Sequence, residues 1–209
     1  MTGFLLRLSL PAALVAFVAG CGTGEPVPKV YVLDETTAPV AETVSQLGLP
    51  AVEVRPVRVP DYLDTTDIVT RGSDGLALAS RSGQWGDRLS IGVTRTVVET
   101  LTSRLPQLSI SQSPPLGLPR WRVRIVIDAF DVAPEGTTLV AKWTVVDGAS
   151  TRPDLDERVV LTSKAPHGRD TEVVAAMRQE IVELSERIAA SLAQLAEGSD
   201  GGTKREQSG

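Results

Sequence analysis

The sequence predicts a single α/β domain in which a mixed, largely antiparallel β-sheet is packed by two long amphipathic helices. Three observations carry this expectation. Residues 121–163 alternate apolar and polar positions in successive runs, the pattern of a half-buried antiparallel meander. Leu89 to Leu105 and Val174 to Leu195 repeat apolar residues at helical spacing, which puts one stripe on each helix. Between the ends that read as leader and tail, about 170 residues remain, the usual size of one domain with one core.

Lys29 to Asp34 (KVYVLD) is the first strand candidate, rich in β-branched and aromatic residues. Ala38 to Gly48 is polar and bounded by proline, a loop with room for one helical turn. Val52 and Val54 are followed by Val57 and Val59, so the alternation changes phase across Arg55-Pro56. A bulge at Pro56 would do this and suits an edge strand or a sheet-switching kink. Pro60-Asp61 starts a turn, Tyr62 and Leu63 offer apolar anchors, and Ile68-Val69-Thr70 has strand character. Asp74-Gly75 turns the chain into Leu76 to Ser80.

Trp85 precedes Asp87, the expected N-cap of a helix of about 18 residues that carries Leu89, Val93, Val97, Leu101 and Leu105 and stops at Pro106. Gln107 to Ile110 is a short strand, and Ser111 to Arg120 a Pro/Gly loop. Trp121, Val123, Ile125, Ile127 and Ala129 form the apolar face of a long strand, with Phe130 on the other face. Glu135-Gly136 turns it back into a partner carrying Leu139, Ala141, Trp143 and Val145, and Arg158 to Ser163 forms a third strand. The last helix begins near Asp170 or Thr171 and carries Val174, Met177, Ile181, Leu184, Ile188, Leu192 and Leu195, with Glu183 and Arg187 paired on its wet side. Gly198 is expected to end it, leaving residues 198–209 as a disordered tail.

The chain carries a formal charge of -5. This argues against a nucleic-acid partner, which would want a basic stripe. Cys21 is the only cysteine, so no disulfide and no cysteine-based zinc site can form within one chain. His167 is the only histidine and stands in a Pro-His-Gly turn without a second ligand in sequence. There is no G-x-S-x-G elbow, P-loop or dinucleotide fingerprint. Gly72 to Gly75 reads as a turn rather than a phosphate cradle. Asp61 and Asp64 could in principle act as acid and base or hold a cation, but as turn caps facing water they need no such role. Arg71 ends a strand beside a turn and could pair with Asp61 or Asp64 or reach a partner. Trp85, Trp121 and Trp143 stand at helix-entry and strand positions that favour core packing, although tryptophan also anchors interfaces. The residues suggest neither a cofactor, nor a metal, nor catalysis.

At the start, Val18-Ala19-Gly20-Cys21 closes the apolar run Leu5 to Phe17, in which Arg7 is the charge. Small residues directly before a cysteine mark a cleaved secretory segment. The pattern resembles the bacterial lipoprotein box, which implies a signal peptide at 1–20, an acylated Cys21, and a Gly/Pro tether at 21–28 before a domain at 29–197. An uncleaved spanning helix is the rival; it needs about 20 apolar residues, and Leu5 to Ala19 falls short with Pro11 inside it. Each buried acyl CH₂ contributes about 0.8 kcal/mol, so two or three chains, palmitate among them, would hold the protein permanently. Gly22 after the cysteine, with no aspartate there, resembles outer-membrane sorting with the domain facing the periplasm.

Pro60 to Arg71 reads PDYLDTTDIVTR and resembles the P-x-Y-L-D-R-x-x-I-V-T-R segment of the PqiC/YmbA family, the ABC-type transport auxiliary lipoproteins. Tyr31-Val32-Leu33, Trp85 with Leu89, Phe130, Trp143 and the closing helix match in the same order. Thr65 stands where arginine is usual, and Gly86-Asp87 where alanine and glutamate are common. The resemblance implies a non-enzymatic outer-membrane lipoprotein that works with an MCE-domain protein and inner-membrane components to move lipid between the two membranes. It also implies assembly into a homo-oligomeric ring that docks the end of an MCE conduit. Pro60, Asp61, Tyr62, Leu63, Asp64, Ile68, Val69, Arg71 and Trp85 are then the candidate interface. Two other readings stay open: an envelope-integrity or assembly lipoprotein that binds lipopolysaccharide or a β-barrel without moving lipid, and a hydrolase using Asp61 or Asp64.

Overall fold

A computed structural model describes residues 27–33, 48–71, 74–115, 117–133, 136–150, 153–164 and 169–206, with side chains up to 198. The leader, Cys21, most of the tether and of the 38–48 loop, Gly72, Glu135 and His167 lie outside the described residues. In chain order the elements are β1 (Lys29–Tyr31), β2 (Ala51–Val54), β3 (Asp67–Arg71), β4 (Ala77–Trp85), α1 (Leu89–Arg104), β5 (Ser109–Ser111), β6 (Trp121–Ala133), β7 (Gly136–Asp147), β8 (Pro153–Lys164) and α2 (Asp170–Glu206). The expected α/β domain forms, but its strands divide between two mixed sheets, ordered β1-β4-β3 and β5-β2-β6-β7-β8.

The long meander of β6, β7 and β8 is antiparallel throughout, as its alternation requires. β2 adds to it in parallel and is itself paired in parallel by β5. β2 is thus an interior strand, which removes the edge strand from the two expectations for the phase change at Pro56. Pairing with β5 stops at Glu53, and the chain past Pro56 runs on beside β6 through Arg55 N to Val123 O (2.9 Å) and Arg58 N to Ile125 O (3.1 Å). The kink turns the Val57 N–H out of the ladder, where the Thr94 hydroxyl of α1 accepts it at 2.9 Å. The phase change therefore buries both Val54 and Val57.

A second bulge, between Ile127 and Ala129, corrects the reading of β6. Simple alternation puts Ala129 inside and Phe130 outside. The extra residue reverses the parity, so Phe130 and Val132 enter the core instead. β8 is also longer than the Arg158–Ser163 run, because Leu155 alone among the polar residues of its first half gives too little apolar signal.

Both helices cover the same face of the five-stranded sheet. Val93, Val97 and Leu101 of α1 and Met177, Ile181, Leu184, Ile188 and Leu192 of α2 pack onto Val123, Ile125, Leu139, Ala141, Trp143 and Val145 in one continuous core. Each valine, leucine, isoleucine or methionine among them contributes about 1.5–3 kcal/mol when fully buried. Arg104 pairs with Glu186 across the two helices, and Arg187 with Glu183 along α2 at 2.8 Å. The second helix does not end at Gly198 but continues to Glu206, so 198–206 is helical where a disordered tail was expected. Glycine inside a helix costs only about 1 kcal/mol relative to alanine, and Gly198 is not among the positive-φ glycines that close a helix.

Glu180 of α2 is buried against β7 and β8, where Thr137 donates to its Oε1 and Ser163 sits against the Thr137 hydroxyl. Its Oε2 is buried with no hydrogen-bonding partner. Burial, opposed by the Thr137 and Ser163 hydrogen bonds, pushes this carboxyl above its ordinary 4.5. The folded protein therefore holds the proton to higher pH than the unfolded chain does. Stability from this group is complete below the unfolded value and is lost as pH rises through the folded one. Glu180→Gln should raise Tm at pH 7 by roughly 2–4 °C, about 1 kcal/mol in a domain of this size, and should change it little at pH 4. Thermal unfolding followed by circular dichroism at the two pH values measures the difference.

Candidate functional site

Pro60 accepts from the N–H groups of Leu63 (2.9 Å) and Asp64 (3.2 Å), which folds the start of the motif into a tight turn. The turn buries Leu63, and the strand that follows buries Ile68. Trp85, at the end of β4, is also buried, its N–H donating to Thr66 O at 2.7 Å. Leu63, Ile68 and Trp85 are therefore core. Pro60 and Val69 are half-buried, and Asp61, Tyr62 and Arg71 reach the surface. Trp121 and Trp143 are core as well.

The Asp64 carboxylate accepts from the backbone N–H of Ser90 at 3.1 Å, across 26 residues of chain. Thr65 O accepts from Leu89 N at 3.2 Å beside it. The residue at the N-cap position of α1, Arg88, makes no side-chain capping bond. Asp64 thus does the capping from another element, satisfying one of the helix's unpartnered N–H groups and placing negative charge at its positive end. This corrects two expectations. Asp87 does not cap α1; its carboxylate pairs with Arg95 at 2.6 Å. Asp64 is not a free member of an acidic pair with Asp61, because its oxygens face the helix N-terminus and, at 4.0 Å, Arg88.

Arg71 pairs with neither Asp61 nor Asp64. Its Nε lies 3.4 Å from Asp131 Oδ1 on β6, and its guanidinium stands 5.6 Å from the Tyr62 ring centroid. The Tyr62 hydroxyl donates to the same Asp131 oxygen at 3.3 Å. Burial, with the Asp131 charge second, raises the Tyr62 phenol, which stays protonated and able to donate. Tyr62, Arg71 and Asp131 so form a surface cluster that ties the motif and β3 to the five-stranded sheet. No local signal pairs Arg71 with Asp131, because the partner lies on a strand far along the chain.

Two further polar clusters were not anticipated. Glu53 is buried on β2 and accepts from Arg55 (2.8 Å) and Arg122 (3.0 Å). The Arg55 hydrogen bond, followed by that of Arg122, holds its carboxyl below the ordinary range against the opposing effect of burial. The second cluster lies at Asp170, the first residue of α2, whose Oδ2 accepts from Ser80 (2.9 Å) and Ser82 (2.6 Å) on β4. A cleft of about 680 Å³ between α1 and α2 has a mixed lining, with Glu99, Arg104 and Glu186 beside Leu33, Ala175 and Val182. Among the described residues, no group of three or more His, Cys, Asp and Glu gathers to hold a metal ion, and no helix is long and apolar enough to cross a membrane.

Residues 31–189 match the family model described as ABC-type transport auxiliary lipoprotein component. The chain matches none of the curated proteins. Among solved structures it is similar to the crystal structure of an uncharacterized protein, with a TM-score of 0.65 and 20% identity over 79% of this chain and 98% of the other. It is similar too to protein XCC0632 from Xanthomonas campestris, with a TM-score of 0.63 and 13% identity over 83% of this chain and 97% of that one. At these identities the likeness is one of fold.

The two bonded roles of the motif separate by energy. Asp64→Ala should cost about 1 kcal/mol, the usual value of a helix cap, whereas Arg71→Ala should cost less, since an exposed ion pair contributes about 0.2–1 kcal/mol. Urea unfolding of the two variants ranks them.

Proposed function

The chain belongs to the ABC-type transport auxiliary lipoprotein family, and on that premise we propose that it is a non-enzymatic outer-membrane subunit that docks a periplasmic MCE conduit for lipid movement between the membranes. The coarser statement, a lipoprotein of a transport system, rests on the family match over residues 31–189, and that observation carries the reading. In the proposal Cys21 is acylated, the domain faces the periplasm, and several copies form the docking ring.

The motif chemistry supports a contact role over a catalytic one. Asp64 is bound to a helix start and Arg71 to Asp131, so neither carboxylate nor guanidinium is poised over a cleft. Tyr62 and Arg71 remain in part exposed, 39% for Tyr62 and 45% for the Arg71 side chain. Tyrosine and arginine are the residues that interfaces favour, and Asp131 holds both in place, which lowers the ordering cost of contact. This pair is the proposed point of attachment for the MCE-domain protein.

Crosslinking from the acylated, tagged chain in its native cells should capture an MCE-domain protein. Tyr62→Ala with Arg71→Glu should cut the captured amount at least tenfold while leaving the chain folded. Capture of a β-barrel protein in place of an MCE protein overturns the proposal in favour of an assembly role. Separately, Cys21→Ser should yield a folded domain in the soluble periplasmic fraction that no longer complements a deletion; full complementation would mean that the anchor is incidental.

A further inference from the structure

The β3–β4 hairpin carries two large apolar side chains that the fold leaves in water. Leu76 is 58% and Leu78 is 55% exposed, although the same small sheet buries Ile68 and Trp85. Leu76 stands at the turn, its N–H held by the Asp74 carboxylate at 3.1 Å, and Leu78 is paired opposite Thr70. Leu76 and Leu78 are thus held by the hairpin, and their side chains do not serve the core.

The direction of β1 says what lies beside that tip. β1 pairs in parallel with β4, Lys29 beside Gly83 and Tyr31 beside Trp85. Followed backwards from Lys29, the chain therefore heads as β4 does when followed backwards, toward the hairpin turn. From Gly83 back to Leu76 the strand rises at most about 23 Å, and the bulge at Ser80–Gly83 shortens this. From Lys29 back to Cys21 the chain can span at most about 28 Å. The two reaches are matched, so a tether of that length continuing in the direction of β1 would bring Cys21 to the level of Leu76.

We propose that Leu76 and Leu78 rest in the headgroup and acyl boundary of the bilayer that holds Cys21, giving the domain a second, non-covalent contact with the membrane. This rests on the lipid-anchor reading above. A bilayer suits the tip better than a second copy of the chain does. Two leucines on a narrow turn fall far below the roughly 800 Å² per partner of a specific protein interface, whereas shallow insertion needs no complementary surface. With the acyl chains and the hairpin both engaged, the domain would hold a set orientation to the membrane instead of swinging on its tether.

The test uses the full acylated chain in vesicles of phosphatidylethanolamine and phosphatidylglycerol, with Leu76→Trp as a depth probe and brominated lipid as the quencher. Val160→Trp is the control, since Val160 is 52% exposed on β8 of the larger sheet. Trp85, Trp121 and Trp143 are buried and supply a constant background measured in the unsubstituted chain. Brominated lipid should remove at least half of the emission that Leu76→Trp adds and less than about a tenth of that added by Val160→Trp. Vesicle flotation reports the anchor independently. A chain that floats while Leu76→Trp stays unquenched overturns the hairpin contact and leaves the anchor standing; a chain that does not float overturns both. Leu76→Trp emission that shifts to the blue with protein density but is not quenched by lipid assigns the tip to a second copy and overturns the proposal.

Discussion

The first N–H groups of a helix have no partner within it, and the way α1 finds one governs the arrangement of the domain. The helix carries no capping side chain of its own. Its cap comes from Asp64, which stands there only because Pro60 closes a turn and Leu63 and Ile68 pin the flanking chain into the core. The second helix is held from the same small sheet. Ser80 and Ser82 donate to Asp170 at its first turn, and Gly83 lets the bulge come close; a Cβ there would lie 2.6 Å from Asp170 Oδ2. Arg178 adds bonds to the carbonyls of Val32 (2.8 Å) and Leu33 (2.7 Å) just after β1. The three-stranded sheet is therefore a clamp on both helix starts, and the five-stranded sheet supplies the surface on which the helices lie.

This division explains what could be read from the sequence. Elements whose signal is periodic were legible: both helices, the meander and the turn at Asp74-Gly75 follow from spacing, because one buried face forces it. The phase change at Pro56 was visible too, but its meaning was not. Whether β2 lies at an edge or inside depends on β5, which contributes only a short pairing and carries little apolar signal. The bulge at Asp128 escaped for a related reason. Both Ala129 and Phe130 are apolar enough for either face, so local pattern cannot choose between them. Sidedness there is set by the packing of Phe130 and Val132 into the common core. Likewise Asp87 had the right type and place for a cap, and lost that role to a residue on another element.

The buried carboxylates show the same dependence on distant partners. Glu53 and Glu180 are both buried, where an isolated charge costs several kcal/mol. Glu53 meets two guanidinium groups and stays ionised, so its carboxyl is held low. Glu180 meets only hydroxyls and is pushed the other way. Each is a glutamate in an otherwise ordinary element; Glu53 has one local partner in Arg55, two residues on, and its second guanidinium comes from far along the chain. The difference is that Arg122 lies beside β2 in the parallel register, Glu53 opposite Arg122, while the register of β7 and β8 puts Thr137 opposite Ser163 under α2.

A motif shared with a family pattern invites reading as a binding site, yet most of PDYLDTTDIVTR is occupied in holding the fold. Leu63 and Ile68 are core, Asp64 is a helix cap, and Thr65 offers its carbonyl to Leu89 and its hydroxyl to the Asp67 N–H at 3.1 Å. The usual arginine at position 65 would bring a long charged side chain to a place where a short hydroxyl now closes the turn. What remains exposed for the proposed contact is the Tyr62–Arg71 surface, and its geometry is fixed by Asp131 across the junction of the two sheets. A protein placed by its anchor needs little affinity from any one contact, because tethering raises the effective concentration of its neighbours. A small, rigid contact surface on a strongly braced scaffold meets that requirement: the bracing takes up most of the motif, and the few groups that remain exposed are already ordered before a partner arrives.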